Sequence, residues 1–189
     1  MGIVRKPLPV KLFIGLLAAD ESSILRQEIA LANRFGPIDI RGPITRWEHT
    51  DYYARELGTV ILRKFVFFRD VMDPETLPAI KIYTNSLELS SALKDHNGAR
   101  RTTNIDPGYL TEAKAVLATT KDYAHRLYLG QGIYGEVELR YSKEGQSYLS
   151  VEHSYPDFRS KTTIGLFNQA RSNLQQMIRE EVTLRHHQR

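Results

Sequence analysis

A chain of 189 residues, 41% hydrophobic and 25% charged, has the size and balance of one ordinary globular domain that folds without covalent staples. It contains no cysteine, which excludes disulfides, cysteine-ligated zinc, iron–sulfur clusters and thiol nucleophiles. The net charge of +4, from 26 basic and 22 acidic residues, suits an anionic ligand without requiring one.

The opening MGIVRKPLPVKLFIGLLAAD places two cations before an apolar run, as a secretory leader does. Leu12–Ala19 is only eight residues long and meets Asp20 and Glu21 with no small-residue cleavage site, so it reads as a buried strand. No stretch approaches the roughly 20 apolar residues of a membrane span. The expected compartment is the cytoplasm, with no membrane partner.

Val10–Ala18 is apolar at nearly every position, as a central strand covered on both faces should be. Asp20 then caps a helix whose apolar positions are Ile24, Leu25, Ile29, Ala32 and Phe35, with the stem of Glu28 among them; Gly36-Pro37 ends it. Ile38, Ile40, Gly42 and Ile44 alternate as a strand with a bulge or edge at Gly42-Pro43, and Val60–Phe68 is a second two-sided strand. Between Asp73 and Lys94 the spacing of Leu77, Ile80, Thr84 and Leu87 favours a helix; the competing reading makes IKIYT a strand and lets Asn85 cap a shorter helix. KDHNGARR reads as a loop, and a strand near Thr103–Ile105 would complete a split β-α-β, ferredoxin-like arrangement.

The second half turns to hairpins: LYLGQGIYGEVELRY and SYLSVEHSY alternate as strands around SKEGQ. A last amphipathic helix runs from Lys161 to Leu184 with Ile164, Phe167, Ala170, Leu174, Met177 and Ile178 on one face; its basic end, RHHQR, suits the helix dipole. The other close cations, Arg63-Lys64 and Arg100-Arg101, read as solvated surface. The expected fold is α+β: one domain over residues 1–189, a mixed or mainly antiparallel sheet, and about three helices mainly on one face. WEHTDYYAR (47–55) and VEHSYPDFR (151–159) echo one another, which would fit a duplication with halves of about 10–100 and 101–180.

Gly130-x-Gly132-x-x-Gly135 spells a phosphate-cradling glycine loop, but no helix follows it, which removes the dinucleotide-binding reading. The kinase reading lacks its lysine on a following strand. A glycine-permitted hairpin turn is the expectation. The histidines lack metal-pair spacing, so no metal is expected, and no cofactor is assigned.

The richest polar cluster gathers Asn104, Asp106, Thr119, Thr120, Lys121, Asp122, His125 and Arg126. Read structurally, it is a surface turn, a capping Asp and the start of a strand. Read functionally, Lys121, His125 and Arg126 grip phosphate oxygens, while Asp106 or Asp122 orients His125 as an acid or base.

At NIDPGYL, LATTKDYAHRLYLGQGIY and YPDFR the chain resembles a bacterial family known as domain of unknown function 4416. PVKLFIGLLAADES, FGPID, TDYYARELG and IKIYTN extend the likeness from Pro9 to about Phe167. The resemblance implies a free-standing cytoplasmic protein with no established activity. Some members carry a nucleotide-binding label, although no guanine-nucleotide motif is present here. The family's polar motifs fall on Thr50, Tyr53, Glu56, Asn85, Asp106, Lys121, Asp122, His125, Arg126, Tyr155, Asp157 and Arg159.

The leading expectation is binding of a phosphate-bearing partner, a nucleotide or single-stranded RNA. Lys121, His125, Arg126 and Arg159 would meet phosphate, and Tyr128, Tyr134 and Tyr155 would stack on bases. The alternatives are a metal-independent hydrolase or transferase using His125 with Asp106 or Asp122, and a non-catalytic assembly protein marked by an exposed apolar patch.

Overall fold

Every residue of β1 (Val10–Ala18) is buried, because apolar side chains on both faces of a strand need cover on both sides. The computed structural model describes residues 2–48, 57–95 and 98–187. After β1 come α1 (Glu21–Phe35), β2 (Ile38–Arg41), β3 (Thr45–Arg46), β4 (Leu62–Met72), α2 (Leu77–Ser90), β5 (Leu93–Asp95), β6 (Gly98–Arg100) and β7 (Thr103–Leu110). They are followed by β8 (Lys114–Thr119), β9 (Leu127–Gly130), β10 (Ile133–Ser142), β11 (Ser147–Ser150) and α3 (Lys161–His187).

One nine-stranded antiparallel sheet, ordered β11-β10-β8-β7-β1-β4-β2, carries the molecule; β3 joins β4 and β9 joins β10. The fold is α+β, with three helices among the described residues. Because β4 lies between β1 and β2 and antiparallel to both, β1-α1-β2 has the order of a split β-α-β unit.

Two of the three helices share one face of the sheet, and the third covers the other. On one side Leu12, Ile14 and Leu16 of β1 pack with Ile24 and Leu31 of α1 and Ile80 of α2. On the other, Phe13, Phe65 and Phe67 meet Phe167, Ala170 and Leu174 of α3. Period-two alternation along β1 and β4 feeds both layers. Phe167 is the hub of the second layer, 4.9 Å from Phe13 and 5.0 Å from Phe67, ring centre to ring centre and edge to face.

Asp20 caps α1, accepting from the Ser23 N–H, and Gly36 ends the helix at φ 91°. Its buried row differs from the expected one. Leu25 and Ile29 are 57% and 56% exposed, while Gln27 and Glu28 face inward with Ser23, Ile24 and Leu31. Polar groups can hold that row because they are partnered: Gln27 donates to Ser91 Oγ at 3.3 Å, and Glu28 pairs with Arg41 and Lys64.

Between Asp73 and Lys94 the helical reading holds, as α2, entered through a 3-10 turn at Pro74–Thr76. KDHNGARR is not simply a loop: its described residues contribute to the two-stranded β5–β6 ladder. The strand expected at Val60–Phe68 runs four residues further, to Met72, and NIDPGYL lies in a strand rather than a turn. Pro107 is tolerated within β7 because β8 pairs only from Gly108 onward, so no outer ladder exists at the proline to interrupt.

The glycine-rich stretch is a hairpin. Gly130 pairs with Ile133, and the intervening Gln131 and Gly132 both have positive φ, 56° and 75°, the signature of a type I′ turn. Gly135 is glycine for another reason: a Cβ there would lie 2.8 Å from the Leu129 side chain. Gly132→Ala should therefore lower stability by about 1 kcal/mol or more, read as a fall in denaturation midpoint with unchanged slope, because alanine resists positive φ even where space is open.

Candidate functional site

The sheet opens between β7 and β8. Their pairing covers only Gly108–Leu110 against Ala115–Leu117; beyond it β7 stays with β1 as far as Thr103↔Ala18, and β8 stays with β10 as far as Thr119↔Tyr134. A cleft of about 200 Å³ occupies the gap. Helix α2 crosses beneath with a row spaced by four: Leu77, Lys81, Asn85. Leu77 packs on Ala118 and Ile133 where the strands are close. Lys81 and Asn85 lie under the open end.

Four cations line the cleft: Arg63, Lys81, Arg101 and Lys121. Lys81 Nζ donates to the Ile105 carbonyl at 3.0 Å and to Asp106 Oδ1 at 3.1 Å, and Asn104 donates to the other Asp106 oxygen. Arg101 pairs with the buried Glu88 at 2.7 Å. Glu88 also accepts the Ile105 N–H at 2.7 Å, and burial raises its carboxyl above the ordinary range against the pull of Lys81. Together these bonds tie the exposed edge of β7 to α2.

Arg63 is the least expected member. It is 5% exposed, and its Nε lies 2.8 Å from Asp157 Oδ2. The guanidinium lies over the Phe65 ring at 4.3 Å and against Gly15, where a Cβ would stand 2.6 Å from it. Gly15 thus interrupts a central strand so that a flat cation can rest on the backbone. The sequence reading put Arg63 at the surface, yet parity along β4 carries the signal, since residues 63, 65 and 67 share a face and two of them are core phenylalanines.

Behind the cleft stands a second polar layer. Glu136 is buried and receives Arg126 through Nε at 3.0 Å and Nη2 at 3.1 Å, with His125 Nε2 at 2.8 Å. Arg126 also donates to the Lys121 carbonyl at 3.0 Å and to the Tyr155 hydroxyl at 3.3 Å, fixing two parts of the cleft wall. The carboxylate beside His125 is therefore Glu136, not Asp106 or Asp122. Asp106 is held by Lys81, and Asp122 bonds Tyr134. His125 stacks on His153 at 4.3 Å and does not line the cleft. Arg126 is not an exposed phosphate grip either, since its side chain is buried. Arg126→Ala should cost ~3–5 kcal/mol, visible as a large drop in melting temperature, by leaving Glu136 buried without its cation.

Glu138 was likewise unread, because Glu136-Val137-Glu138 looks like a solvated face around an inward valine. A bulge between Val137 and Leu139 reverses this: both glutamates are buried and Val137 is 39% exposed. Glu138 Oε2 accepts the Tyr155 N–H at 2.9 Å, while Oε1 has no hydrogen-bond partner among the described residues. Burial, reinforced by the carboxylates of Glu136 and Asp157, pushes the Glu138 carboxyl up to about 8. Burial also pushes the Tyr155 phenol up to about 12, so it is a neutral hydroxyl at neutral pH.

A family model matches residues 8–174, nearly the whole chain. The chain belongs to the family described as Domain of unknown function (DUF4416). No curated protein and no solved structure matches it. Of the polar positions that the DUF4416 likeness singled out, Asn85, Asp106, Lys121, Tyr155 and Asp157 converge on the cleft. Arg126 braces it from behind. Arg159 instead donates to the carbonyls of Ser154 and Glu152, at 3.0 and 2.7 Å, and stiffens the segment bearing Tyr155 and Asp157. Thr50, Tyr53 and Glu56 lie outside the described residues, as does most of the first copy of the echoed motif. Tyr128 and Tyr134 pack edge to face on the hairpin, 5.4 Å apart, rather than on the cleft. Among the described residues, no three His, Asp or Glu side chains converge as metal ligands. No described helix is long and apolar enough to cross a membrane.

The raised Glu138 carboxyl has a definite consequence for stability. Its folded value, about 8, lies above the ordinary 4.5, so between those limits the folded state holds a proton that the unfolded state has lost. The contribution is complete below pH ~4.5 and disappears as pH rises toward ~8. Glu138→Gln retains an acceptor for Tyr155 without a titrating group. Melting scans across this window should show wild type losing stability with rising pH relative to a flatter variant profile.

Proposed function

We propose that this protein binds a small phosphate-bearing molecule in the cleft between β7 and β8. The observation carrying this reading is the convergence of Arg63, Lys81, Arg101 and Lys121 with the neutral donors Asn85, Thr119, Thr120 and Tyr155. Asp106, Asp157 and the nearby Glu88 pair with Lys81, Arg63 and Arg101 and hold those cations at the cleft. Charge-assisted bonds from such donors in a partly enclosed site are the usual means of holding phosphate.

Size narrows the class. At about 200 Å³ the cleft is smaller than the roughly 300 Å³ at which pockets begin to enclose drug-sized ligands. A phosphoryl group with a few attached polar atoms fits inside; the base of a nucleotide would lie outside. Single-stranded RNA is less favoured, because the cations converge on a recess and the hairpin tyrosines lie elsewhere. The acid–base alternative loses its centre, since His125 and Glu136 lie off the cleft. Binding is therefore the reading taken.

Calorimetric titration at low salt with phosphorylated sugars, mononucleotides and inorganic phosphate tests it, alongside filter binding of single-stranded RNA. Saturable binding of at least one small phosphate compound is expected. Lys121→Ala should weaken that affinity about tenfold, equivalent to about 1.4 kcal/mol, and leave the melting temperature unchanged, because Lys121 is exposed. Binding of RNA alone, or of nothing at low salt, would defeat the reading.

A further inference from the structure

Arg101 lines the cleft between β7 and β8 and also a larger recess of about 480 Å³. The recess is bounded by the end of β1, the first two turns of α1, the residue after α2 and the approach to β7. We propose that one ligand spans both: a small molecule with one phosphoryl group in the cleft and a second between Arg26 and Arg100. The inference rests on the phosphate-binding reading of the cleft and names the class of compound that it takes, a bisphosphate.

Three parts of the chain pass from the cleft to the recess. β1 gives Leu17 to the cleft, and Ala19, just beyond its end, to the recess. α2 gives Lys81 and Asn85 to the cleft, and Ser91, just beyond its end, to the recess. The segment entering β7 gives Thr102 to the recess, then Asn104 and Asp106 to the cleft. Asp106 lies four residues beyond Thr102, so their Cα atoms stand at most roughly 14 Å apart. One small molecule can reach from one to the other. Glu88 holds the Arg101 guanidinium at the junction, at 2.7 Å.

The chemistry of the recess suits an anion and not a base. Its described walls carry no aromatic ring for a base to stack on. They carry three arginines from separate places: Arg26 on α1, Arg100 at the end of β6, and Arg101. Arg100 is exposed and makes no ion pair with a described residue. Arg26 donates to the hydroxyls of Ser22 and Ser23, at 3.0 and 2.7 Å. Asp20 is the one carboxylate among the described walls, and its oxygens already accept from the Ser22 and Ser23 hydroxyls and the Ser23 N–H. That cap also covers the start of α1, so the helix end takes no part. Counting Glu88 behind Arg101, three guanidiniums face two carboxylates, and positive charge remains. Guanidinium N–H groups from two elements are well matched to phosphoryl oxygens.

Amide-resolved NMR titration of the full chain with glucose 1-phosphate and glucose 1,6-bisphosphate, at matched ionic strength, tests the inference. The Thr119 and Thr120 amides report the cleft; those of Ser23 and Thr102 report the recess. Both compounds should shift Thr119 and Thr120, and only the bisphosphate should saturably shift Ser23 and Thr102. It should bind roughly tenfold more tightly, because the second contact is intramolecular. The double variant Arg26→Ala, Arg100→Ala should remove that advantage and leave the monophosphate affinity and the melting temperature unchanged, since both side chains are exposed. Lys143→Ala, which removes an exposed cation remote from both sites, should change neither affinity. A bisphosphate that binds no more tightly than the monophosphate, or a double variant that weakens both equally, overturns the inference and leaves the cleft reading standing. Absence of shifts at Thr119 and Thr120 with either compound overturns the cleft reading and the spanning ligand together.

Discussion

The buried guanidinium of Arg63 is the constraint around which much of this structure is arranged. A cation in the interior must be partnered, and the partners here come from three parts of the chain: the backbone at Gly15 on β1, the ring of Phe65 on β4, and the carboxylate of Asp157 after β11. The Arg63–Asp157 pair therefore fixes the 3-10 turn at Pro156–Arg159 over the sheet. That turn in turn buries Phe158 against Phe13 and Phe65, at 6.2 and 5.1 Å. Removing either charge would leave the other isolated in a low-dielectric layer, while Gly15 admits no larger side chain without displacing the guanidinium. Core packing and polar chemistry meet at this one pair.

The same pair forms a wall of the cleft, and the sheet supplies its opening. Once β8 parts from β7, the free edge of β7 needs other partners, and Lys81 and Glu88 of α2 provide them by bonding the Ile105 carbonyl and N–H. These bonds prevent a bare strand edge from pairing elsewhere, and they bring cationic and amide side chains beneath the gap. The cleft is thus a by-product of completing backbone hydrogen bonds with side chains instead of a neighbouring strand. Arg126, Glu136 and Tyr155 brace its far wall by the same logic, each buried polar group meeting another.

Much of the fold was legible because it rests on local periodicity. β1, the capped and glycine-terminated α1, the glycine hairpin and the buried face of α3 all follow from spacing that a single segment carries. The polar cluster was partly legible for a similar reason. Asp106, Lys121 and Tyr155 belong to polar segments that the sequence sets apart, and they do converge. Arg63 was placed at the surface, and Glu136 and Glu138 went unread, because local pattern treats a charge as solvated. Their burial depends on partners 94, 10 and 17 residues away, taking Arg63 to Asp157, Glu136 to Arg126 and Glu138 to Tyr155.

By itself, the sequence determined that this protein is an α+β chain with a two-sided central strand, no cysteine chemistry and a turn where its glycines suggested a phosphate loop. Those properties follow from composition and from periods of two and 3.6 residues, which need no knowledge of distant neighbours. Only the tertiary structure decided that α3 covers the face opposite α1 and α2, that His125 belongs to Glu136, and that the sheet parts between β7 and β8. Each depends on strand order and on a bulge at Glu138 that changes which side chains face inward. A one-residue shift of register exchanges the two faces of a strand, and pairing across the sheet sets that register.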